Sequence, residues 1–237
     1  MDLKETEILG TDVGDHWYYA SKVKAMEKIL DHSPVRKILD VGAGSGFFSR
    51  YLLEKSTATE AWCVDISYED DADELVADKP IYLRRTIENI DADLVMLMDV
   101  LEHVNDDVGL LKAYADKVPI GAKFLITVPA FQFLWSGHDD FLEHKRRYTL
   151  NQLESVARSA GLKVTKGTYY FGGVFPIATS LRLLERFRAN KQPHSQLKKH
   201  SPFVNSMLKT ICYLELPFMG INRIAGLTVF CVAEKRG

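Results

Sequence analysis

Cysteine is scarce in this chain, with Cys63, Cys212 and Cys231 the only three among 237 residues. None stands at metal-ligand spacing from another, and Cys63 and Cys231 sit within apolar, strand-like runs. They read as buried thiols of a reducing compartment, which excludes a disulfide framework. An excess of one charge is also missing: 30 Lys and Arg face 32 Asp and Glu, for a formal net charge of −2. That balance excludes the broad basic footprint of a nucleic-acid-binding protein. Long apolar runs are lacking as well. Charges interrupt each one well short of the roughly 20 residues that cross a bilayer, and the charged opening Met-Asp-Leu-Lys-Glu-Thr-Glu has no signal-peptide core. No repeat, low-complexity tract or nucleophile–base constellation stands out. These absences predict a cytoplasmic protein with no nucleic-acid partner and no covalent catalysis by a side chain.

What is present is an alternation of strand-like and helix-like segments. Short runs rich in Val, Ile and Leu at 37–41, 61–65, 81–84, 94–98 and 122–128 read as strands. Helical patterns lie between or after them at 46–54, 68–77, 101–117 and 150–160, the last stopped by Gly161. Such alternation builds a Rossmann-like, doubly wound, mostly parallel α/β sheet. An amphipathic helix at 16–32, carrying Ala20, Val23, Met26, Ile29 and Leu30 on one face, precedes the first strand. Segments 162–171 and 225–234 read as an antiparallel pair closing the sheet, for seven strands in all. The roughly fifty residues between them form a helical insertion in which Arg182, Arg186, Arg188, Lys191, Lys198, Lys199 and Lys209 follow one another with only Glu185 opposing them between 182 and 209. The division is one domain: a cap at 1–35, a core at 36–171, an insertion at 172–224 and a last strand at 225–237.

The run Ile-Leu-Asp-Val-Gly-Ala-Gly-Ser-Gly-Phe-Phe, residues 38–48, ends a strand in three alternating glycines and opens a helix. A glycine turn at that junction is where an α/β sheet holds a nucleotide-like cofactor. Dinucleotide binders space their glycines Gly-x-Gly-x-x-Gly; here the third falls one residue early, at Gly46. Asp65 ends the second strand about twenty residues after the glycines, where a carboxylate can accept both hydroxyls of a ribose. A third run, Asp-Leu-Val-Met-Leu-Met-Asp-Val-Leu-Glu-His-Val at 93–104, carries Asp99 to the edge of the sheet beside the expected crevice.

The spacing Asp-x-Gly-x-Gly-x-Gly resembles motif I of the class I S-adenosylmethionine-dependent methyltransferases. Asp-Val-Leu-Glu-His-Val closely resembles a segment of their ubiquinone-biosynthesis-like group. The resemblance implies that Gly42, Ala43, Gly44 and Gly46 meet the methionine part of S-adenosylmethionine, with Asp40 supporting its amino group. It implies that Asp65 holds the ribose, that Ile66 packs on the adenine, and that Asp99 and Val100 line the methionine side near the sulfonium. Relatives place an acid after the third strand for the adenine amino group. This chain has Arg84-Arg85-Thr86-Ile87-Glu88 instead, so Thr86 or Ile87 takes that place.

The loop at 128–149 resembles that of a bacterial methyltransferase subgroup with the signature Trp-Ser-x-His-Asp…His-x-Arg-Arg-Tyr-Thr. With Trp17 of the aromatic N-terminal helix, Asp139, Arg147 and Tyr148 are expected in the acceptor pocket. His103, His138 and His144 are the candidate bases, since a histidine removes a proton near neutral pH. The same loop also reads as a structural network of arginines and acids. Metal binding is set aside because no tetrahedral ligand set is spaced convincingly. The acceptor is expected to be a small molecule, a glycan or a lipid-linked compound. For the apolar and basic stretch at 174–218, a solvated face, a peripheral membrane contact and a homodimer interface all stand open. Two alternatives to methyl transfer remain at this point: an NAD-dependent oxidoreductase, and a non-catalytic cofactor-binding or membrane-docking protein.

Overall fold

The computed structural model describes residues 10–31, 34–186 and 200–237. Its frame is one sheet with helices on both faces. The strands are β1 (Lys37–Val41), β2 (Glu60–Val64), β3 (Ala72–Val76), β4 (Lys79–Arg84), β5 (Leu94–Met98), β6 (Lys123–Pro129), β7 (Leu162–Tyr170) and β8 (Thr228–Lys235). They lie in the order β3-β4-β2-β1-β5-β6-β8-β7. The pairings among β4, β2, β1, β5 and β6 are parallel, whereas β8 runs antiparallel to both β6 and β7.

Alternate residues of the central strands feed two cores, as a sheet buried on both faces requires. Ile38, Met96 and Met98 point to one side with the helices α1 (Trp17–Leu30) and α2 (Phe47–Lys55). Leu39, Val95 and Leu97 point to the other, against α3 (Asp107–Asp116) and, beyond the short α4 (Gly137–Phe141), α5 (Leu150–Ser159). The insertion contributes α6 (Phe175–Arg186), α7 (Pro202–Glu215) and a 3-10 turn at Leu216–Ile221. Among its basic residues, Arg188, Lys191, Lys198 and Lys199 lie outside the described residues, as does His32 at the end of the segment expected to form the first helix.

The doubly wound, mostly parallel sheet with its antiparallel closing strand is as the sequence predicts. Two elements differ. The segment expected to be a helix at 68–77 contains β3, an eighth, exposed edge strand hairpinned to β4. Glu69, Asp70, Asp71, Asp73 and Glu74 would stack like charges three and four apart on a helix, which destabilises it. On the edge strand they find cations: Asp73 meets Arg84 at 2.6 Å and Glu74 meets Arg50 at 2.6 Å. The connecting residues Ala77 and Asp78 both adopt positive φ, 51° and 62°, as a two-residue hairpin turn needs. The single helix expected at 101–117 is broken instead. A 3-10 turn, Leu101–His103, precedes α3, which Asp106 caps by accepting from Gly109 N–H at 2.7 Å. That break matters for the site, because it lets the Leu101–His103 turn lie along the sheet edge.

Candidate active site

After β1 the chain builds outward through β2 and β4, then returns to the opposite side of β1 with β5. The reversal makes the carboxyl ends of β1 and β5 a topological switch point, where such sheets bind ligands. Gly42 and Asp99 follow those two strands. Gly42, Gly44 and Gly46 all have positive φ, at 67°, 54° and 68°. A Cβ on Gly42 would stand 2.7 Å from Val100 Cγ2, a stiff β-branched neighbour, so this position needs glycine for space as well as for backbone angle. The turn is fastened to its surroundings. Gly42 N–H donates to Val64 C=O at 2.7 Å, and Tyr68 O–H donates to Gly44 C=O at 2.7 Å.

Asp65 lies one residue past β2, and its Oδ2 accepts from Gly44 N–H at 2.8 Å. Its Oδ1 accepts from the N–H and hydroxyl of Ser67 at 2.9 and 2.6 Å. The carboxylate is therefore held in place beside the glycine loop. The next residue, Ile66, is 84% exposed, an apolar platform at the mouth of the crevice. Thr86 is exposed and Ile87 half-buried against the core. Asp40 is buried, accepts from Ser49 O–H at 2.7 Å, and has its carboxyl pushed up to about 6 by burial, with the nearby Asp65 charge adding to the rise.

Asp99 occupies the left-handed region at φ 58°, an uncommon place for any residue but glycine. Three contacts keep it there. Its N–H donates to Thr127 C=O at 3.0 Å, Thr127 O–H donates to Oδ1 at 3.0 Å, and Lys22 of α1 forms an ion pair with Oδ2. Burial alone would lift the Asp99 carboxyl, but the Lys22 charge and hydrogen bond hold it below the usual carboxylate value. Lys22 is fully buried and also donates to Tyr18 Oη at 3.3 Å. It went unnoticed in the sequence although a signal exists: Lys22 sits on the apolar face of the helix, beside Tyr19, Val23 and Met26.

The loop after β6 is laced to the Leu101–His103 turn. Lys145 N–H donates to Glu102 C=O at 2.7 Å. Tyr148 O–H lies 2.8 Å from Asp107 Oδ2 and 3.1 Å from Leu101 C=O. Arg147 grips the buried Asp139 through Nε and Nη2 at 2.6 and 2.9 Å and reaches Ala130 C=O at 3.1 Å. Asp139 in turn holds His144 Nδ1 at 2.9 Å. The rings of His144 and His103 meet edge to face, 4.8 Å between centroids. The geometry thus brings His103, His144 and Asp139 together, while Arg147 and Tyr148 spend their polar atoms on the scaffold. His138 stands in α4 and is not among the groups gathered at Glu102. The Trp17 ring packs edge-on against Phe171, and its backbone N–H donates to Asn205 Oδ1 of α7 at 2.8 Å, so it ties the cap helix to the insertion.

The glycine cradle, the Asp65 carboxylate held beside it and the exposed Ile66 are chemically suited to an adenosyl cofactor. A model of the methyltransferase domain family matches residues 15–166, more than half of the chain, and the chain belongs to that family. S-adenosylmethionine is its cofactor and methyl donor. Among solved structures, a Haloferax volcanii methyltransferase in complex with the Trm112 activator is 15% identical with TM-score 0.58, over 100% of this chain and 95% of that one. A Haemonchus contortus phosphoethanolamine N-methyltransferase 2 is 17% identical with TM-score 0.56, over 99% of this chain and 57% of the other. An S-adenosylmethionine-dependent methyltransferase of Mesorhizobium loti is 12% identical with TM-score 0.55, over 92% and 98%. At these identities the likeness is one of fold. Comparison with curated proteins gives no match.

Proposed function

We propose that the chain transfers the methyl group to an oxygen or nitrogen acceptor lodged between the cofactor crevice and the loop at 128–149, with the His103–His144 pair taking the acceptor's proton. This reading keeps it in the ubiquinone-biosynthesis-like group and the bacterial subgroup with the His-Asp…His loop. The observation that carries it is the Asp139–His144 contact. With Nδ1 bound to a carboxylate that Arg147 immobilises, the other ring nitrogen is left as the acceptor of a proton. S-adenosylmethionine brings a methyl carbon already activated by the sulfonium. The protein's share is alignment and deprotonation, not covalent chemistry.

In this reading Gly42, Ala43, Gly44 and Gly46 flank the methionine part, Asp65 takes the ribose, Ile66 the adenine face with Thr86 or Ile87 at its edge, and Val100 the methionine side. Asp40 faces the cofactor's ammonium, which gives a test. A cation favours the ionised carboxylate, yet in the free protein Asp40 holds its proton up to about pH 6. Binding below that pH must expel the proton, so affinity falls by up to about tenfold per pH unit on acidification. Above it the affinity is level. Calorimetric titration with S-adenosylmethionine from pH 5 to 8 checks this; Asp40→Asn flattens the profile. A flat profile in the unaltered protein contradicts the assignment, and binding of NAD alone contradicts the whole reading.

The acceptor is proposed to be lipid-linked, presented at a membrane surface by the insertion. Phe203, Leu214, Phe218, Ile221 and Ile224 are all exposed on α7, the turn after it and the loop that follows, and Ile177, Leu181 and Leu184 on α6. Apolar side chains concentrated in one segment that also carries a basic linker are what an anionic membrane surface retains. Flotation with vesicles containing anionic lipid should carry the protein upward in low salt. Phe203→Asp with Phe218→Asp should leave it at the bottom of the gradient, with cofactor affinity unchanged. Equal flotation of both forms would refute the docking. No described helix is long and apolar enough to cross a membrane.

A further inference from the structure

Glu102 has no role in the reaction as derived so far, and its surroundings are unusual. It is fully buried, and neither carboxylate oxygen has a hydrogen-bond partner. A buried carboxyl normally finds donors, because its lost hydration is otherwise uncompensated. Two histidines face it instead. Ligand atoms of Glu102, His103 and His144 all lie within 4.8 Å of one another. His144 is braced as ligating histidines are: Nδ1 on Asp139 at 2.9 Å, and that carboxylate secured by Arg147 Nε at 2.6 Å and by Ser136 N–H at 2.9 Å. Sequence distance concealed the set, since residue 144 is brought back only by the contacts that lace its loop to the Leu101–His103 turn.

We propose that Glu102, His103 and His144 form a site for one divalent transition-metal ion. Two imidazoles and one carboxylate suit zinc, manganese, iron(II) or cobalt, and suit calcium or magnesium poorly. The ion would supply the compensation that the Glu102 carboxylate lacks. Three protein ligands leave a coordination position open. The Leu101–His103 turn follows Asp99 and Val100 directly, and in this proposal the open position would take an acceptor carrying a hydroxyl. The acceptor's chemistry rests on the methyl-transfer reading above, with one change: when the ion is bound, the His103 and His144 nitrogens are its ligands, so the ion would acidify the acceptor hydroxyl and the proton would pass to water instead of to the histidine pair. The ion's binding does not rest on that reading. This departs from the expectation of no metal, which was drawn from linear spacing alone.

Chelator-dialysed protein titrated with Co²⁺ provides the test. The expected result is one equivalent bound, with visible ligand-field absorption and paramagnetically shifted imidazole N–H resonances. Glu102→Gln and His144→Ala, each checked for folding by circular dichroism, should weaken binding about hundredfold, while His200→Ala, which alters a histidine stacked on His16 far along the chain, changes nothing. Zn²⁺ or Mn²⁺ should compete for the same equivalent. Absence of imidazole-shifted signals in the unaltered protein overturns the proposal, as does equal weakening by His200→Ala. S-adenosylmethionine binding is measured on the same samples. Intact cofactor binding without metal binding defeats only this inference, whereas absent cofactor binding defeats the methyl-transfer reading.

Discussion

Replacing Asp65 with alanine is expected to weaken S-adenosylmethionine binding about hundredfold, or about 3 kcal/mol. The size follows from charge-assisted hydrogen bonds to two ribose hydroxyls, each of the strong kind. A carboxylate offers about four acceptor sites, and in the free protein Gly44 N–H, Ser67 N–H and Ser67 O–H already use three. Both ribose hydroxyls fit only if the exposed Ser67 side chain swings away. Ser67→Ala should therefore bind the cofactor as well as the original or slightly better, since it removes a competitor. Asp65→Asn keeps the shape and loses the charge, and should fall between. Calorimetric titration of the three variants decides; an Asp65→Ala affinity within threefold of the original would rule the ribose role out.

Lys22→Met is expected to lower the thermal midpoint more than any other single change in the cap helix. It leaves Asp99 without its counter-charge, and breaking a buried pair from one side costs about 3–5 kcal/mol. Asp99 keeps 26% of its side-chain surface open to solvent, which puts the loss at the low end of that range. About 3 kcal/mol corresponds to about 6–12 °C for a chain of this length. Adding Asp99→Asn removes the stranded charge, so the double variant should recover most of the loss. The sign with pH is fixed by the depressed Asp99 carboxyl. The pair stabilises above the ordinary carboxylate value of 3.8 and fades as the pH falls through the lower folded value. The gap between the original and Lys22→Met should thus be full at pH 7 and close in acid. A gap that stays the same from pH 7 down to the most acidic pH at which the protein remains folded would show that lost packing of the lysine stem, not the ion pair, sets the cost.

Much of the cofactor half was legible in the residues because its signals are local. A glycine turn, a strand-end carboxylate twenty residues on and a buried β5 need only a few contiguous residues each. The helix expected at 68–77 failed on the same local level. Five acids within the six positions 69–74 leave helical apolar spacing too weak to outweigh their mutual repulsion, and an edge strand with Arg50 and Arg84 nearby relieves it. Periodicity likewise could not show that the run at 101–117 breaks after His103, because the break depends on Asp106 capping α3 and on the loop residue Lys145 reaching Glu102 C=O.

By itself, the sequence determined the doubly wound sheet, the glycine cradle and the carboxylate positions, since hydrophobic period and glycine spacing act over one turn or one strand. Only the tertiary structure decided that Lys22 guards Asp99, that Arg147 and Tyr148 serve the scaffold, and that Glu102, His103 and His144 share one pocket. Those pairings join residues far apart in the chain, and their partners are chosen by burial: a charged or polar group shut away from water must find its complement wherever the fold brings one.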